Sequence, residues 1–452
     1  MLRGFNKPEA GPIQIECGRE NTGLESLEPE QCGSKNRHSG SFQPFALSHS
    51  SKNCLHRQIG AARVGVIRMF KVSLTIGIGV AMALPWGACL SGEMPECFQL
   101  RDASGPRTVT GHVIVEALDG GVLLELPDER LEIVEPSTIL SRAAVAHPAE
   151  AETPRELGTR ILAELPAGFD LLVTKHYVIC FDTSRAYAQW CGALFERLHE
   201  GFQNFWTQAA LDVSPPSRPL IVVIFADRHR YEAFAARDLG AAADRVVGYY
   251  NLLSNRVTTF DLTGSDLLAR KTATSAGRAG LEILARPEAS GLVATLVHEA
   301  THQMSFNCTM HRRLAPVPLW VSEGIATYFE TPDLASQRGW RGIGMVNKPR
   351  LEKFLATQRA GALEPIVSGD EPFRRADEAI EAYARAWALT YFLIQTQKPA
   401  FVAYLQMLAC KEPFSDDSPE QRQQDFVKAF GVTPQALEEP LLRFLTRVSR
   451  VR

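Results

Sequence analysis

Two histidines flanking a glutamate are the residues of this chain best placed to do chemistry. His298-Glu299-Ala300-Thr301-His302 sets two imidazoles four residues apart. Four residues carry a helix through 400°, so both rings leave it within about 40° of each other and face one point in space. Two ring nitrogens can then reach a single zinc ion at about 2.0–2.1 Å. Glu299 projects beside that ion and can reach its water without ligating it. The competing reading is a helix with two half-buried histidines bonded to backbone carbonyls. A catalytic zinc wants three protein ligands and one open position, so the decision falls to what lies downstream.

That downstream segment is Pro318-Leu319-Trp320-Val321-Ser322-Glu323-Gly324-Ile325-Ala326-Thr327-Tyr328-Phe329-Glu330. Pro318 stands where a helix can begin, and Trp320, Ile325 and Phe329 can pack inward. The small Gly324 and Ala326 would let a second helix come close. With its HExxH and its Trp-x-x-Glu-Gly-x-Ala, the sequence resembles the gluzincins, metallopeptidases that bind zinc through two such histidines and a glutamate on a following helix. The likeness looks closest to an uncharacterised bacterial family of gluzincin-like exported proteins and covers roughly residues 100–445. It implies Zn2+ held by His298, His302 and Glu323, in an enzyme acting on a peptide or protein substrate. Twenty residues separate His302 from Glu323, slightly more than in the best-known members, and the loop from Asn307 to Val317 can hold the excess. Thr327 stands where thermolysin-like members carry an aspartate that orients a ligand histidine, so another group must accept that ring's second N–H. Glu330 is a candidate, although a solvated charge at a helix end is its readier reading.

The mechanism implied is hydrolysis. Zinc lowers the pKa of water and polarises a carbonyl, and Glu299 takes the water proton and can hand it to the leaving amine. A second donor to the oxyanion is needed. Tyr383 lies 60 positions after Glu323, much as in aminopeptidase-like gluzincins that use a tyrosine hydroxyl. Its helical spacing with Trp387 and Tyr391 fits a core aromatic more readily. His311 is another nominee, but beside Arg312 and Arg313 it reads first as an exposed loop histidine. The run from Gly248-Tyr249-Tyr250-Asn251 to Thr258-Thr259-Phe260 matches the edge strand that pairs with extended substrate in gluzincins, or else ordinary sheet.

These residues need a scaffold, and the pattern predicts an α+β fold. A small β-meander is expected within 97–145, with Thr108 to Val134 strand-like and Asp119-Gly120-Gly121 as a hairpin turn. Residues 136–154 read as a linker. A gluzincin-like unit follows over 156–452, with a mixed sheet and a mostly helical C-terminal half. Its strand candidates are 171–173, 177–179, 220–225 and 249–261. Helices are expected over 184–210, 291–306, 318–330, 376–396, 399–410, 418–429 and 434–449. The 264–289 segment reads as a loop or lid.

Composition is that of an ordinary globular chain, 45% hydrophobic and 22% charged over 452 residues. A formal charge of −3 offers no basic footprint, which argues against a nucleic-acid partner. Nine cysteines show no CxxC spacing, so no cysteine metal site is expected. Residues 1–68 look like a disordered or untranslated leader. An export signal follows over 69–92, with Lys71 as its basic flank and Val72 to Ala83 as its apolar run. Lipidation of Cys89 is the alternative to ordinary cleavage and would attach the protein to a membrane. The expected location is periplasmic, cell-envelope or secreted. The competing function is a non-catalytic, zinc-containing envelope scaffold, against which the intact Glu299 speaks. N-terminal sequencing of natively produced protein should find a start between about Gly87 and Glu96. Mature cytoplasmic protein beginning at Met1 would overturn the export reading.

Overall fold

The computed structural model describes residues 94–102, 105–145, 152–262, 289–331 and 342–450. The leader, the export signal with Cys89 and nearly all of the 264–289 segment lie outside them. The described residues belong to one compact unit, an α+β arrangement of an antiparallel sheet, a mixed sheet and a helical C-terminal half. Among the described residues, no helix is long and apolar enough to cross a membrane.

The first sheet is larger than the expected meander. Strands β1 (Glu96–Asp102), β2 (Gly105–Glu116), β3 (Val122–Glu125), β4 (Leu131–Val134) and β5 (Ile139–Ala144) run in the order β4-β3-β2-β1-β5, all antiparallel. The turn at Asp119-Gly120-Gly121 forms as expected, with Gly120 at φ +87° and the Asp119 carboxylate accepting from the Gly121 amide. Within the linker expected over 136–154, residues 139–144 instead form β5, and 146–151 lie outside the described residues. This strand lies at the sheet edge with five of its six residues exposed, so backbone pairing makes it and no apolar alternation announces it. One face of the sheet buries Phe98, Leu100, Val109, Val122 and Leu124. Leu123 and Leu131 on the other face meet Leu253, Leu314 and Phe414 from the rest of the molecule.

The second sheet carries the site. Strands β6 (Asp170–Val173), β7 (Tyr177–Phe181), β8 (Leu220–Phe225), β9 (Gly248–Asn251) and β10 (Arg256–Phe260) are ordered β6-β7-β8-β10-β9. The inner pairs are parallel and the two outer ones antiparallel. Every residue of β8 is buried because both its faces are covered: Val222 and Ile224 enter one core, and Ile221, Val223 and Phe225 the other. The single strand expected over 249–261 is a hairpin. Asn251 Oδ1 accepts from the amides of Leu253 and Ser254, and Asn255 takes φ +59°, a conformation asparagine tolerates better than most residues.

Twelve α-helices are described. Helix α1 (Pro154–Glu164) starts in a Thr153/Glu156 capping box. Helices α2 (Arg185–Gln208), α4 (Ala289–Asn307), α5 (Leu319–Phe329) and α9 (Ala379–Thr396) fall within a few residues of their expected spans. So do α10 (Lys398–Ala409), α11 (Pro419–Phe430) and α12 (Pro434–Arg450). Helix α3 (Arg228–Leu239) was not expected, since only Tyr231, Ala235 and Leu239 of it are buried. The remaining helices, α6 (Lys348–Ala356), α7 (Glu364–Ser368) and α8 (Glu371–Arg374), are too short for a clear period. Helix α4 packs on β9, β10, α2 and α5.

Helix α5 is buried along its whole length and lies against α9. A Cβ on Gly324 would fall 2.1 Å from Thr390 Oγ1 and 2.9 Å from the Ala386 carbonyl oxygen of α9. The close approach anticipated from Gly324 is therefore present, and it fixes the height of Glu323 one residue earlier. Gly324→Ala should push α5 and α9 apart and cost about 1–3 kcal/mol, read as a lower urea midpoint with unchanged m-value. An unaltered midpoint would contradict the tight contact.

Candidate metal centre

Helices α4 and α5 bring His298, His302 and Glu323 together in the interior. One donor atom from each lies within 4.8 Å of the others. The two Nε2 atoms are 3.1 Å apart, and Glu323 Oε2 lies 3.1 Å from that of His298 and 3.5 Å from that of His302. All three residues are buried. Helix α4 is held in register by Gln303, whose Nε2 donates to the carbonyls of Ile221 in β8 and Asn255 in the β9–β10 turn, each at 2.9 Å.

The orientation of His298 comes from Glu330. Its Oε2 lies 2.9 Å from His298 Nδ1, and because a carboxylate only accepts, the ring proton sits on Nδ1. Nε2 of the neutral ring then points a lone pair at the Glu323 carboxylate and at the second imidazole. Such a convergence of acceptors is unfavourable unless a proton or a cation lies between them. Burial pushes His298 toward the neutral form, but hydrogen bonds and charges from Glu323 and Glu330 override it and raise its pKa well above the usual value. Burial also opposes ionisation of Glu323, yet the adjacent His302 and His298 hold its carboxyl well below the usual range. His302 is shifted down, chiefly by burial. A divalent cation would displace the bridging proton, and the donor set of two imidazoles and a carboxylate fits zinc.

Glu330 corrects the sequence reading, which favoured a solvated charge. It is buried, seven residues after Glu323, and therefore within about 20° of the same helix face. That spacing was the signal available. Asn347 Nδ2 donates to its Oε1 at 2.9 Å and Arg350 Nε at 3.3 Å. Neither residue was anticipated from sequence, although Asn347-Lys348-Pro349 is a legible helix start. Thr327 turns its hydroxyl back to the carbonyls of Glu323 and Gly324 and takes no part.

Glu299 sits beside the cluster, and its Oε2 accepts from the backbone N–H of Tyr250 at 2.9 Å. Tyr250 belongs to β9, the outermost strand on that side of the sheet. Burial pushes the Glu299 carboxyl up to about 8. His311 also departs from expectation. It is buried, not exposed, because residues at positive φ, Thr309 and Leu314, turn its loop back onto the core. The His311 amide donates to the Ser305 carbonyl near the end of α4, and its ring lies 5.4 Å from that of Phe306. Burial pushes His311 down to about 3. Tyr383 is buried in α9, edge-on to Phe373 at 5.5 Å, with the Arg350 guanidinium 5.6 Å above its ring. Cys97, Cys180, Cys191, Cys308 and Cys410 are free thiols.

Residues 292–415, which include all of the donors above and Glu330, Asn347, Arg350 and Tyr383, match the family DUF1570, described as a protein of unknown function. No curated protein matches the chain.

Proposed function

We propose that this protein is a zinc-dependent hydrolase, of metallopeptidase type, that holds its metal with His298, His302 and Glu323 and uses Glu299 as general base. The observation that carries the reading is the charge of the buried cluster. Glu299, Glu323 and Glu330 bring three carboxylates, Arg350 brings one guanidinium, and all four are buried. Three carboxylates against one guanidinium leave two negative charges. Without metal these are balanced by protons on Glu299 and His298, both held by their surroundings, and one divalent cation can take the place of both.

Zinc bound by this donor set supplies Lewis acidity toward a carbonyl and lowers the pKa of water to about 7. Glu299 is then the proton carrier. It takes a proton from the attacking water as the C–O bond forms, and returns it to the amine nitrogen as the C–N bond breaks. Its burial gives it a high proton affinity, which suits a group that must both accept and release a proton near neutrality. The Tyr250 amide fixes the carboxylate and ties the base to the edge strand expected to align an extended peptide. Tyr383 is the nominee for the second donor to the oxyanion, set against a core role that its burial and its packing on Phe373 and Arg350 also fit. Tyr383→Phe keeps the ring and removes only the hydroxyl, so kcat should fall by about a hundredfold. A rate unchanged within about threefold would assign Tyr383 to the core alone.

The deciding experiment compares zinc content and cleavage of a broad peptide library across three proteins. Glu323→Ala leaves two histidines, so metal and activity should be lost together. Glu299→Gln keeps the donors and should retain its full complement of zinc while turnover drops by about 10²–10⁴-fold. A wild-type protein that holds zinc and cleaves nothing would favour the envelope scaffold. Normal turnover in Glu299→Gln would overturn the mechanism even with zinc in place.

A further inference from the structure

We propose that Arg350 is a positioning residue that locks Glu330 against His298 and thereby fixes which ring nitrogen faces the metal donors. The part of the proposal that concerns metal affinity rests on the zinc reading above; the part that concerns ring orientation stands without it.

Arg350 reaches the interior from the first turn of α6. Asn347 caps that helix, accepting at 3.4 Å from the Arg350 amide, and Arg350 as a residue is only 6% exposed. Its placement is costly for a charged group, yet among the described residues Glu330 is its one ion-pair partner. Among the described residues Nη2 meets no hydrogen-bond partner, so the side chain does not saturate a salt-bridge network there. Burial pushes the guanidinium down to about 10, and it remains a cation at neutral pH.

The two oxygens of Glu330 have separate duties. Oε1 receives both Arg350 Nε and Asn347 Nδ2, leaving Oε2 to the Nδ1–H of His298. With Arg350 present, the carboxylate is gripped on one oxygen from two directions and cannot rotate away from the imidazole. The guanidinium is itself held in place over the Tyr383 ring. Loss of the cation would leave a single neutral amide to orient a buried anion. His298 would then lose its fixed acceptor and, with it, the constraint that presents Nε2 as a lone pair. Lysine retains the charge but not the planar fork and stacking face.

The test uses the whole protein and two readouts, zinc affinity by chelator competition and, in the metal-free state, the downfield Nδ1 proton resonance of His298 that reports its hydrogen bond to Glu330. Arg350→Met should weaken zinc binding by about 10–100-fold and abolish that protected resonance. Arg350→Lys, which keeps the charge without the fork, should fall between Arg350→Met and wild type in affinity. If Arg350→Met does not fold, Arg350→Gln serves the same comparison. Because Arg350 acts through Glu330, adding Arg350→Met to Glu330→Gln should weaken binding by no more than about threefold beyond Glu330→Gln alone. A lower Tm with zinc affinity within about threefold of wild type and an unchanged His298 Nδ1 proton resonance would reduce Arg350 to a packing residue. Losses that multiply in the double variant would also overturn the proposal. Should the wild type bind no zinc, the zinc reading fails, and the Nδ1 proton resonance of His298 still decides the role of Arg350.

Discussion

Ionised carboxylates resist burial, each costing several kcal/mol unless it is paired and hydrogen-bonded, and the interface of α4 and α5 buries three of them around two imidazoles. Every other feature near the site answers that constraint. Glu323 is set against His298 and His302, Glu330 against His298, Asn347 and Arg350, and Glu299 against the amide of Tyr250. These partners satisfy hydrogen bonds without cancelling all of the charge. Protons on His298 and Glu299 complete the balance without metal, and a divalent cation can take their place, so the electrostatics of the interior support the proposed metal alongside the motif.

The precision of the cluster depends on two contacts remote from it. Gly324 allows α5 to lie against α9 at a separation that no side chain at that position would permit, and this sets the depth of Glu323. Gln303, one residue beyond a metal donor, anchors α4 to the sheet through two carbonyls. The donors are thus mounted on rigid elements with polar or steric stops on both sides, the arrangement by which a protein holds ligands to a fraction of an ångström.

The N-terminal sheet joins the same framework. Arg313 donates to the Glu125 carboxylate and to the carbonyls of Glu129 and Leu252, and the Leu131 amide donates to the Leu253 carbonyl in the β9–β10 turn. Asn255 in that turn bonds Glu129 on one side and Asn307 at the end of α4 on the other. The sheet therefore buttresses the hairpin whose outer strand holds Glu299. A small sheet that carries none of the candidate site residues thus bears directly on the element beside the base.

Much of this was legible in the sequence because it is local. The four-residue spacing of His298 and His302 is a property of a helix, and so is the face shared by Glu323 and its neighbours. The helical C-terminal half was readable from its period, and β8 from its continuous apolar run. Elements without such a period were missed: β5 exists through backbone pairing with β1, and α3 buries only one narrow stripe. Side-chain partnership was beyond reach for a different reason. Glu330, Arg350 and His311 all carry polar side chains of kinds usually found at surfaces; the helical spacing of Glu330 from Glu323 was a local hint, and nothing in the neighbourhoods of Arg350 and His311 marks them as buried. Their burial was decided by how α6 and the loop after α4 fold back onto the core, bringing together groups 20 or more residues apart, such as Glu330 with Arg350 and with His298. Sequence by itself determined which residues can bind a metal and on which helices they ride; tertiary packing decided what holds those residues in place, because hydrogen-bond partners are chosen by proximity in space, and proximity between distant segments is set only when the chain has closed its core.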